Sequence, residues 1–352
     1  MPNVSLQHLS RFITDAFMAV GLPRGDAAIV AERMVEADII GADAHGVFRL
    51  PQYIRRLRAG GVNANPQLRV ERTGPSTARV DGENGMGHLV MTRAAELAVE
   101  MARETGVAWV GTVRSNHAGA ASVYVDIPVR AGMIGIYSAV ASANHMPPWG
   151  GVESLLGTNP LAIGLPLAAG APVMLDFATT VVSYGTVKGR ELRGQSMPEG
   201  WMIEKATGQP LTDPRRSNEG FLLPIGGYKG AGLSMVLGLL AGVLNGAAIG
   251  RDVVDFNADD VTPANTGQFI LALDVSRFMA PEIFAEAAKK HLDELRGSER
   301  LPGVEHIRLP GDERARRRIE RLDTGVPVPE QLLAKLDAIS RDLGVPALER
   351  VD

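Results

Sequence analysis

The sequence contains no cysteine in 352 residues. This absence excludes disulfide frameworks, zinc fingers, iron–sulfur clusters and cysteine nucleophiles, all of which need sulfur from that side chain. Because a chain without disulfides suits a reducing compartment, we expect a cytoplasmic protein. The first 17 residues lack the basic segment and continuous apolar run of a signal peptide, and their apolar residues are spaced as in an amphipathic helix. They are interpreted as mature protein.

The chain also has no large excess of charge. Lys and Arg number 36 against 40 Asp and Glu, which gives a net charge of -4. Such a balance does not attract nucleic acid or an anionic membrane surface, so we expect neither as a partner. With 45% hydrophobic and 22% charged residues, the composition is that of a globular protein and excludes disordered and fibrous classes.

A long apolar run without interruption is absent as well. The segment Gly230–Gly250 has no charged residue, but six glycines and Asn245 interrupt it. Its continuous helical part, from about residue 232 to 245, would span about 21 Å, short of the ~30 Å core of a bilayer. The segment therefore predicts a fully buried helix and not a membrane span.

Periodicity predicts an α/β protein with helical ends. Helices are predicted at 4–17, 25–41, 50–59, 87–104, 120–130, 281–296, 312–322 and 329–343, and strands at 107–113, 133–140, 161–165, 173–177 and 269–273. Residues 80–85 are predicted to form a turn. Because helices and not hairpins separate the predicted strands, we expect a central α/β body at 76–275, between an N-terminal helical segment at 1–75 and a C-terminal one at 276–352.

Glycine is plentiful, but the known phosphate-binding fingerprints are missing. Neither G-x-G-x-x-G nor G-x-x-x-x-G-K-[ST] occurs. The nearest feature is Gly226–Gly232, in which Lys229 precedes the apolar helix. Free N–H groups, the helix dipole and the Lys229 charge would suit an anion or a pyrophosphate. A glycine turn that only permits close packing explains the same residues equally well.

Two of the seven histidines lie among other polar side chains, and none has metal-ligand spacing, so we expect no metal site. In Asp43–Arg49, His45 and Arg49 are four residues apart and would share one side if the turn continued the helix. A histidine beside a guanidinium could protonate a carbonyl while the arginine binds a neighbouring carboxylate. His117 follows an apolar strand, where α/β sheets place ligand-binding loops. A structural role for either histidine remains open.

Three other features have competing interpretations. Asp176 ends an apolar strand and could accept a ribose hydroxyl or cap a helix. Trp149 fits a core position as well as a cofactor wall. The arginines at 314, 316, 317, 318 and 321 alternate with Glu313 and Glu320, which favours a solvated helix face over a polyanion site.

Eight short motifs occur in order between residues 43 and 311, within a match that runs from about residue 5 to 345. They are D-A-H-G-V-x-R-x-P, S-N-H-x-G, M-P-P-W-G-G, G-T-N-P, L-D-F-A-T-T-V-V-S-Y-G, G-G-Y-K-G-x-G, P-A-N-x-G-Q-F and I-R-L-P-G. Together they resemble the type 2 malate/L-lactate dehydrogenase family, the L-sulfolactate dehydrogenase-like oxidoreductases. The resemblance implies that family's non-Rossmann α/β fold, a homodimer, and hydride transfer with NAD or NADP.

The resemblance also implies site residues. His45 matches the acid/base histidine of the 2,3-diketo-L-gulonate reductase branch, His117 matches that of the ureidoglycolate branch, and Arg49 matches the arginine that binds the substrate anion. Ser142 and Asn144 would contact the substrate. The implied cofactor contacts are Pro172, Asp176, Phe177, Ala178, Tyr228, Lys229, Gly311, Asp312 and Glu313.

The departures from the family pattern bear on the substrate. Ala44 replaces the serine that commonly precedes His45, and Ser142 stands where some branches have lysine, as in the diketogulonate branch. These features favour a larger polyhydroxylated 2-keto acid over malate or lactate. We expect His45 to be the general acid and His117 to orient the carbonyl, with the reverse assignment as the alternative. A cyclic imine-2-carboxylate reductase and a non-catalytic small-acid binding module are the other functions considered.

Overall fold

The helices of the protein confirm most of the predicted ones. The computed structural model describes residues 2–168 and 170–350. Its helices are α1 Leu6–Ala19, α2 Arg24–Ile39, α3 Leu50–Ala59, α4 Gly87–Thr105, α5 Ser122–Arg130, α6 Tyr184–Leu192, α7 Tyr228–Ala241, α8 Pro281–Arg296, α9 Asp312–Thr324 and α10 Glu330–Leu343. The predicted end of α3 is confirmed, because Gly60 adopts φ 84° after the last turn. Helix α6 was not predicted.

The strands include several that the sequence did not indicate. They are β1 Asn3–Val4, β2 Arg69–Gly74, β3 Thr77–Asp81, β4 Val107–Ser115, β5 Met133–Ala139, β6 Leu161–Leu165, β7 Val173–Phe177, β8 Met202–Glu204, β9 Gly220–Leu222, β10 Thr266–Asp274 and β11 Val326–Pro327. The prediction of a turn at residues 80–85 is wrong at its start, because β3 extends to Asp81.

A seven-stranded sheet forms the centre of the molecule, in the order β2-β3-β4-β10-β5-β6-β7. Only β3 and β4 are parallel, and every other neighbouring pair is antiparallel. The expectation that helices separate the strands is therefore wrong at β2–β3, at β5–β6 and at β6–β7, where no helix lies between the paired strands. Helices α4 and α5 pack on the sheet, and α7 contacts β5 and β10. Strand β10 thus brings residues 266–268 between the ends of β4 and β5.

The protein has two large apolar cores, one formed mainly by the helices near the two ends of the chain and one in the central body. One core joins α1, α2, α3 and α10, and the other joins the sheet to α4 and α5. Strand β1 pairs with β11, which ties the two ends of the chain together. The predicted boundary at residue 75 is wrong, because β2 lies before it and pairs with β3 of the central sheet. Strand β2 has only six residues, and nearly all of them are exposed. Its sequence is therefore too short and too polar to indicate a strand that pairs with β3.

The apolar helix α7 differs from its prediction in both position and burial. It begins at Tyr228 and ends at Ala241, so it starts four residues earlier than expected. The segment Tyr228–Asn245 is long and apolar enough to cross a membrane, and 44% of it is buried. One side packs through Ser234, whose hydroxyl donates to the Gly157 carbonyl at 3.0 Å. The prediction of a fully buried helix is wrong, because side chains on α7 and just after it are 44–63% exposed: Met235, Val236, Leu239, Val243 and Leu244.

Candidate active site

Two short 3-10 turns, Asp43–His45 and Val47–Arg49, join α2 to α3. The chain turns between them at Gly46, where a Cβ would collide with the buried carboxylate of Asp38. That carboxylate accepts the Val47 N–H at 2.9 Å. His45 and Arg49 therefore do not lie on one continuous helix, which was the condition for their expected proximity. Both nevertheless line the same cleft.

Arg49 presents a cation inside this cleft. Its Nε donates to the Ala44 carbonyl at 3.0 Å and its Nη1 donates to Asn257 Oδ1 at 3.3 Å. The guanidinium lies 5.2 Å from the centre of the Phe256 ring. Burial lowers the pKa of Arg49 from its usual value. Within the described residues its Nη2 has no hydrogen-bond acceptor, so this group can bind a carboxylate.

His117 is held by two hydrogen bonds to the same ring nitrogen. The Tyr53 hydroxyl is 2.6 Å from Nδ1, and the Gly119 N–H donates to Nδ1 at 3.3 Å. A backbone N–H can only donate, so Nδ1 must be an acceptor and the proton of the neutral ring must lie on Nε2. His117 can therefore offer an Nε2–H to a ligand, but its unprotonated nitrogen is already occupied.

His45 faces His117 across the cleft. Their ring centres are 5.9 Å apart and the ring planes differ by 9°. Burial lowers the pKa of His45 to about 4, with a further decrease from the charge of Arg49 and an opposite effect from Asp176. Burial, followed by the Arg49 charge, also holds the pKa of His117 well below its usual range. Both imidazoles are therefore neutral at pH 7.

The cleft around these residues has a volume of about 730 Å³. That volume is large enough for a small substrate together with part of a cofactor. Ser142 lies on its wall, as predicted for a substrate contact. Asn144 does not line the cleft, and its amide instead donates to the Gly250 carbonyl at 2.6 Å.

An aromatic pair that the sequence did not reveal forms another part of the wall. The rings of His145 and Tyr184 stack with their centres 3.9 Å apart. Burial lowers the pKa of His145 to about 4. Tyr184 opens α6, the helix missed from the sequence, and neighbouring Gly185 packs against Ala44. His145 thus adds a neutral hydrogen-bonding group to the site.

Some of the predicted cofactor residues line connected cavities. Asp176, Phe177 and Ala178 line the main cleft, whereas Pro172 and Gly311 line a neighbouring cavity of about 420 Å³. Arg314 lines both cavities and pairs with Asp176 at 3.1 Å. A Cβ on Gly311 would come within 3.0 Å of the Pro172 carbonyl, so glycine permits this close approach of two backbones. The two cavities are therefore neighbours that share Arg314 as a wall.

The remaining predicted cofactor residues do not line these two cavities, but Glu313 lines a third one of about 550 Å³ together with Asp176, Gly311 and Arg314. Asp312 accepts hydrogen bonds from Arg296 and from the Leu309 N–H, each at 2.8 Å. Glu313 pairs with arginines on its own helix. Tyr228 and Lys229 are exposed in the first turn of α7. Their proximity to a cofactor stays a prediction.

The arginines of α9 correct another interpretation from the sequence. Arg316 lies on a solvated face, but Arg314 pairs with Asp176 in the cleft and Arg318 pairs with Glu36 of α2. Arg321 is only 8% exposed and bonds to the Asp43 carboxylate. A solvated face is therefore wrong for most of this cluster. The helix instead anchors the turn that carries His45.

No group of three or more His, Asp or Glu side chains suited to a metal ion occurs within residues 2–168 and 170–350. The site residues that the sequence analysis missed are Tyr53, His145, Tyr184, Asn257 and Arg314. Tyr53 could have been found, because it follows His45 and Arg49 at the same four-residue spacing. The others reach the cleft through contacts between distant segments, which spacing does not show.

Comparison with known proteins adds independent findings. The family model described as malate/L-lactate dehydrogenase matches residues 4–337. A malate dehydrogenase of Pyrococcus abyssi is 35% identical over 99% of this chain and 96% of its own length. The ureidoglycolate dehydrogenase (NAD(+)) of Escherichia coli strain K12 is 36% identical over 88% of each chain. A (2R)-3-sulfolactate dehydrogenase (NADP(+)) of Chromohalobacter salexigens is 33% identical over 95% of this chain and 97% of its own.

Solved structures agree with these sequence matches. The sulfolactate dehydrogenase of Methanocaldococcus jannaschii superposes with a TM-score of 0.90 and 32% identity, covering 99% of this chain and 100% of that one. The delta1-piperideine-2-carboxylate reductase of Pseudomonas syringae gives a TM-score of 0.84 and 30% identity, covering 96% and 100%. The predicted sulfolactate dehydrogenase-like α/β fold is confirmed. This chain belongs to the malate/L-lactate dehydrogenase family.

Proposed function

We propose that this protein is an NAD- or NADP-dependent dehydrogenase that interconverts the 2-hydroxy and 2-keto forms of a small carboxylate. The observation that carries the proposal is a guanidinium with a free Nη2, Arg49, in one cleft with the neutral imidazoles of His45 and His117. Family membership and the dehydrogenase names of similar proteins support the same class of reaction.

Each of the three side chains has a distinct role in this proposal. Arg49 binds the substrate carboxylate, His117 directs its Nε2–H to the oxygen on C2, and His45 exchanges the proton of that oxygen. During oxidation the hydroxyl proton passes to the neutral His45, the hydride leaves C2, and the C–O bond becomes a carbonyl. In the direction of reduction, His45 must first take up a proton from solvent and then gives it to the oxygen on C2. His45 fits the exchange better than His117 because its ring makes no side-chain hydrogen bond within the described residues, whereas Nδ1 of His117 is occupied.

The cofactor supplies a nicotinamide ring that accepts the hydride or returns it. Asp176, Phe177 and Ala178 would hold the end nearest the histidines, and Pro172, Gly311 and Arg314 would hold the remainder. The two neighbouring cavities and the close approach of the backbone at Gly311 support this placement. Tyr228, Lys229, Asp312 and Glu313 are proposed as further contacts on the strength of the motif resemblance.

For the substrate we propose a 2-keto acid with an uncharged, polar extension. Ser142 and the neutral His145 both line the cleft and can hydrogen-bond to hydroxyl groups. Reduction of a cyclic imine-2-carboxylate is the second candidate, because a reductase of that kind has a similar structure. Its carboxylate would bind Arg49 in the same way, with a C=N bond in place of the carbonyl.

An activity panel tests the proposed function. Absorbance of NADH and of NADPH is followed with 2-keto acids that carry hydroxylated, anionic or apolar extensions, and with cyclic imines. We expect turnover of hydroxylated 2-keto acids. Cofactor binding without turnover of any compound would identify a binding module and reject the enzyme, whereas turnover of imines alone would favour the second candidate.

Single substitutions then assign the roles. His45→Ala should lower kcat by about 10²- to 10⁴-fold, the usual range for a general acid or base, while Arg49→Ala should mainly raise KM for the carboxylate. His291→Ala removes an exposed imidazole on α8 and serves as the matched control. Near-normal turnover in His45→Ala, together with a loss of orders of magnitude in His117→Ala, would reverse the assignment.

We also propose that the protein is a homodimer that buries the exposed face of α7. Five aliphatic or thioether side chains there are 44–63% exposed, and such a patch is unusual on a monomer. Leu239→Asp should convert the dimer to a monomer in sedimentation analysis because it places a charge in an apolar interface. Val261→Asp, on an exposed loop, is the matched control. A wild-type monomer, or a dimer unaffected by Leu239→Asp, would contradict the proposal.

A further inference from the structure

Unfavourable backbone conformations are concentrated in one region next to His117. In the described parts of the chain, the non-glycine residues with positive φ are Glu83, Asn84, Arg114 and Asn265, at 47°, 60°, 50° and 45°. This conformation is costly for side chains other than Asn and Asp, so it persists only where neighbouring contacts enforce it. All four residues lie at the same end of three neighbouring strands, near the ends of β3 and β4 and the start of β10.

Hydrogen bonds connect these residues and fix both peptide groups of Arg114. The Arg114 N–H donates to Asn265 Oδ1 at 2.9 Å, and the Asn84 N–H donates to the Arg114 carbonyl at 2.8 Å. Arg114 lies three residues before His117, at the end of β4. The left-handed conformation of Arg114 changes the direction of the chain before His117. The Asn265 side chain holds the Arg114 N–H in this conformation.

The residue directly before His117 is also held by hydrogen bonds. Asn116 is buried, and its amide donates to the Asn84 carbonyl at 3.0 Å and to the Gly85 carbonyl at 2.9 Å. Its own carbonyl accepts the Gln268 amide at 2.9 Å. The register between β10 and β4 shifts between Thr266 and Gln268, so the start of β10 departs from a regular ladder at this point. The backbone that carries His117 is thus tied to β10.

We propose that Asn265 is a positioning residue that sets the location of His117 through the strained peptide of Arg114. Asn265 touches neither imidazole nor ligand, and its effect depends on its Oδ1 as an acceptor. Without the hydrogen bond from the Arg114 N–H to Asn265 Oδ1, Arg114 could leave its left-handed conformation. The turn would then relax and displace the His117 ring. This proposal rests on the role of His117 in the proposed function.

Three substitutions distinguish the effect of the Asn265 Oδ1 acceptor from the effect of the positive φ angle. Asn265→Gly tolerates positive φ but removes Oδ1, whereas Asn265→Asp keeps an acceptor and a residue type that tolerates this conformation. Glu83→Gly is the control for glycine at another positive-φ position, because it leaves the Arg114–Asn265 contact in place. It also removes the carboxylate that accepts the Gln67 N–H and pairs with Arg69, both of which lie outside the contacts to Arg114 and His117. We expect Asn265→Gly to lower kcat on the order of 10-fold with KM for the cofactor unchanged, because small displacements of a reacting group are costly. Asn265→Asp should restore most of the turnover, and Glu83→Gly should leave it unchanged.

Two further measurements exclude a purely structural role. In a His117→Ala background Asn265→Gly should have little additional effect on kcat, since residues that act as a unit are not additive. The ¹⁵N chemical shifts of the His117 ring should report an Nε2–H tautomer in the wild type and in Glu83→Gly, and a mixture in Asn265→Gly. The second readout needs no substrate, so it tests positioning even if the proposed function fails. Equal effects of Asn265→Gly with and without His117, or unchanged ring shifts, would overturn the proposal.

Discussion

At the scale of single residues, Tyr53 makes the shorter of the two hydrogen bonds to Nδ1 of His117 and so reinforces the Nε2–H tautomer. Its hydroxyl is 2.6 Å from Nδ1, and burial raises the pKa of Tyr53, so the hydroxyl stays protonated. The Gly119 N–H is the weaker second donor at 3.3 Å. Without Tyr53 only the longer Gly119 contact would keep Nδ1 as an acceptor, so the preference for the Nε2–H tautomer would weaken.

We therefore expect Tyr53→Phe to lower kcat about fivefold while leaving KM for the carboxylate within about twofold, since a lost hydrogen bond is worth about 1 kcal/mol. Steady-state kinetics with the preferred substrate measure both values. Tyr124→Phe is the matched control, because Tyr124 is a buried tyrosine whose hydroxyl donates to the Ala118 carbonyl. A similar loss of kcat in both variants would show that general packing, and not the His117 tautomer, is responsible.

Single-residue patterns could predict part of the site. His45, Arg49 and His117 were expected to act together, and all three line one cleft. The proximity of His45 and Arg49 was expected from a continuous helix. In the structure it results instead from two short turns, whose conformation depends on Gly46 and Asp38. Their roles in chemistry stay predictions. Contacts such as Arg314 with Asp176 join residues 138 positions apart, and no local pattern contains them.

At the scale of elements, α9 shows why a charge pattern can mislead. Its glutamates do pair with arginines along the helix, as at Arg316 and Glu320. The decisive partners, however, lie on α2 and on the turn that follows it. Arg321 donates to the Asp38 carbonyl and to the Asp43 carboxylate, 283 and 278 residues away. Local alternation of charge therefore cannot distinguish an anchored face from a solvated one.

Arg321→Ala should lower the free energy of unfolding by about 2 kcal/mol, because it leaves the buried Asp38 carbonyl without this donor and removes a packed side chain. It should also lower kcat, since the Asp43–His45 turn loses its anchor. Urea unfolding and kinetics check the two effects. Arg316→Ala, on the solvated face of the same helix, should change neither. An Arg321→Ala protein as stable and as active as the wild type would contradict the anchoring role.

At the scale of the whole molecule, the sheet order lies beyond what the sequence can reveal. Strand β10 was predicted as a strand, but its place between β4 and β5 follows from pairing with residues more than 120 positions earlier. The helices could be predicted well because α1, α3 and α8 carry their periodicity and end signals locally. Short strands such as β2 depend on partners, so their pattern alone is too weak.

Burial of several histidines also makes the stability of the whole molecule depend on pH. His88 is 1% exposed, and burial lowers its pKa to about 3. Neither of its ring nitrogens has a hydrogen-bond partner among the described residues. Burial likewise lowers the pKa of the site histidines, His45, His117 and His145. In the unfolded chain each imidazole titrates near 6.5, so the unfolded state binds more protons between these values.

The sign of the effect follows directly from these pKa values. Stability is fully present above about pH 6.5 and is lost as the pH falls towards the folded-state pKa, by up to ~1.4 kcal/mol per pH unit for each such histidine. Asp38 opposes this loss, because burial raises its pKa in the folded state well above the usual value.

His88→Leu should therefore reduce the pH dependence of the unfolding free energy between pH 6 and 4 by about one proton, as measured by urea unfolding at several pH values. His291→Ala, which removes an exposed imidazole, should leave the slope unchanged, whereas an unaltered slope in His88→Leu would mean that His88 takes up a proton in the folded protein.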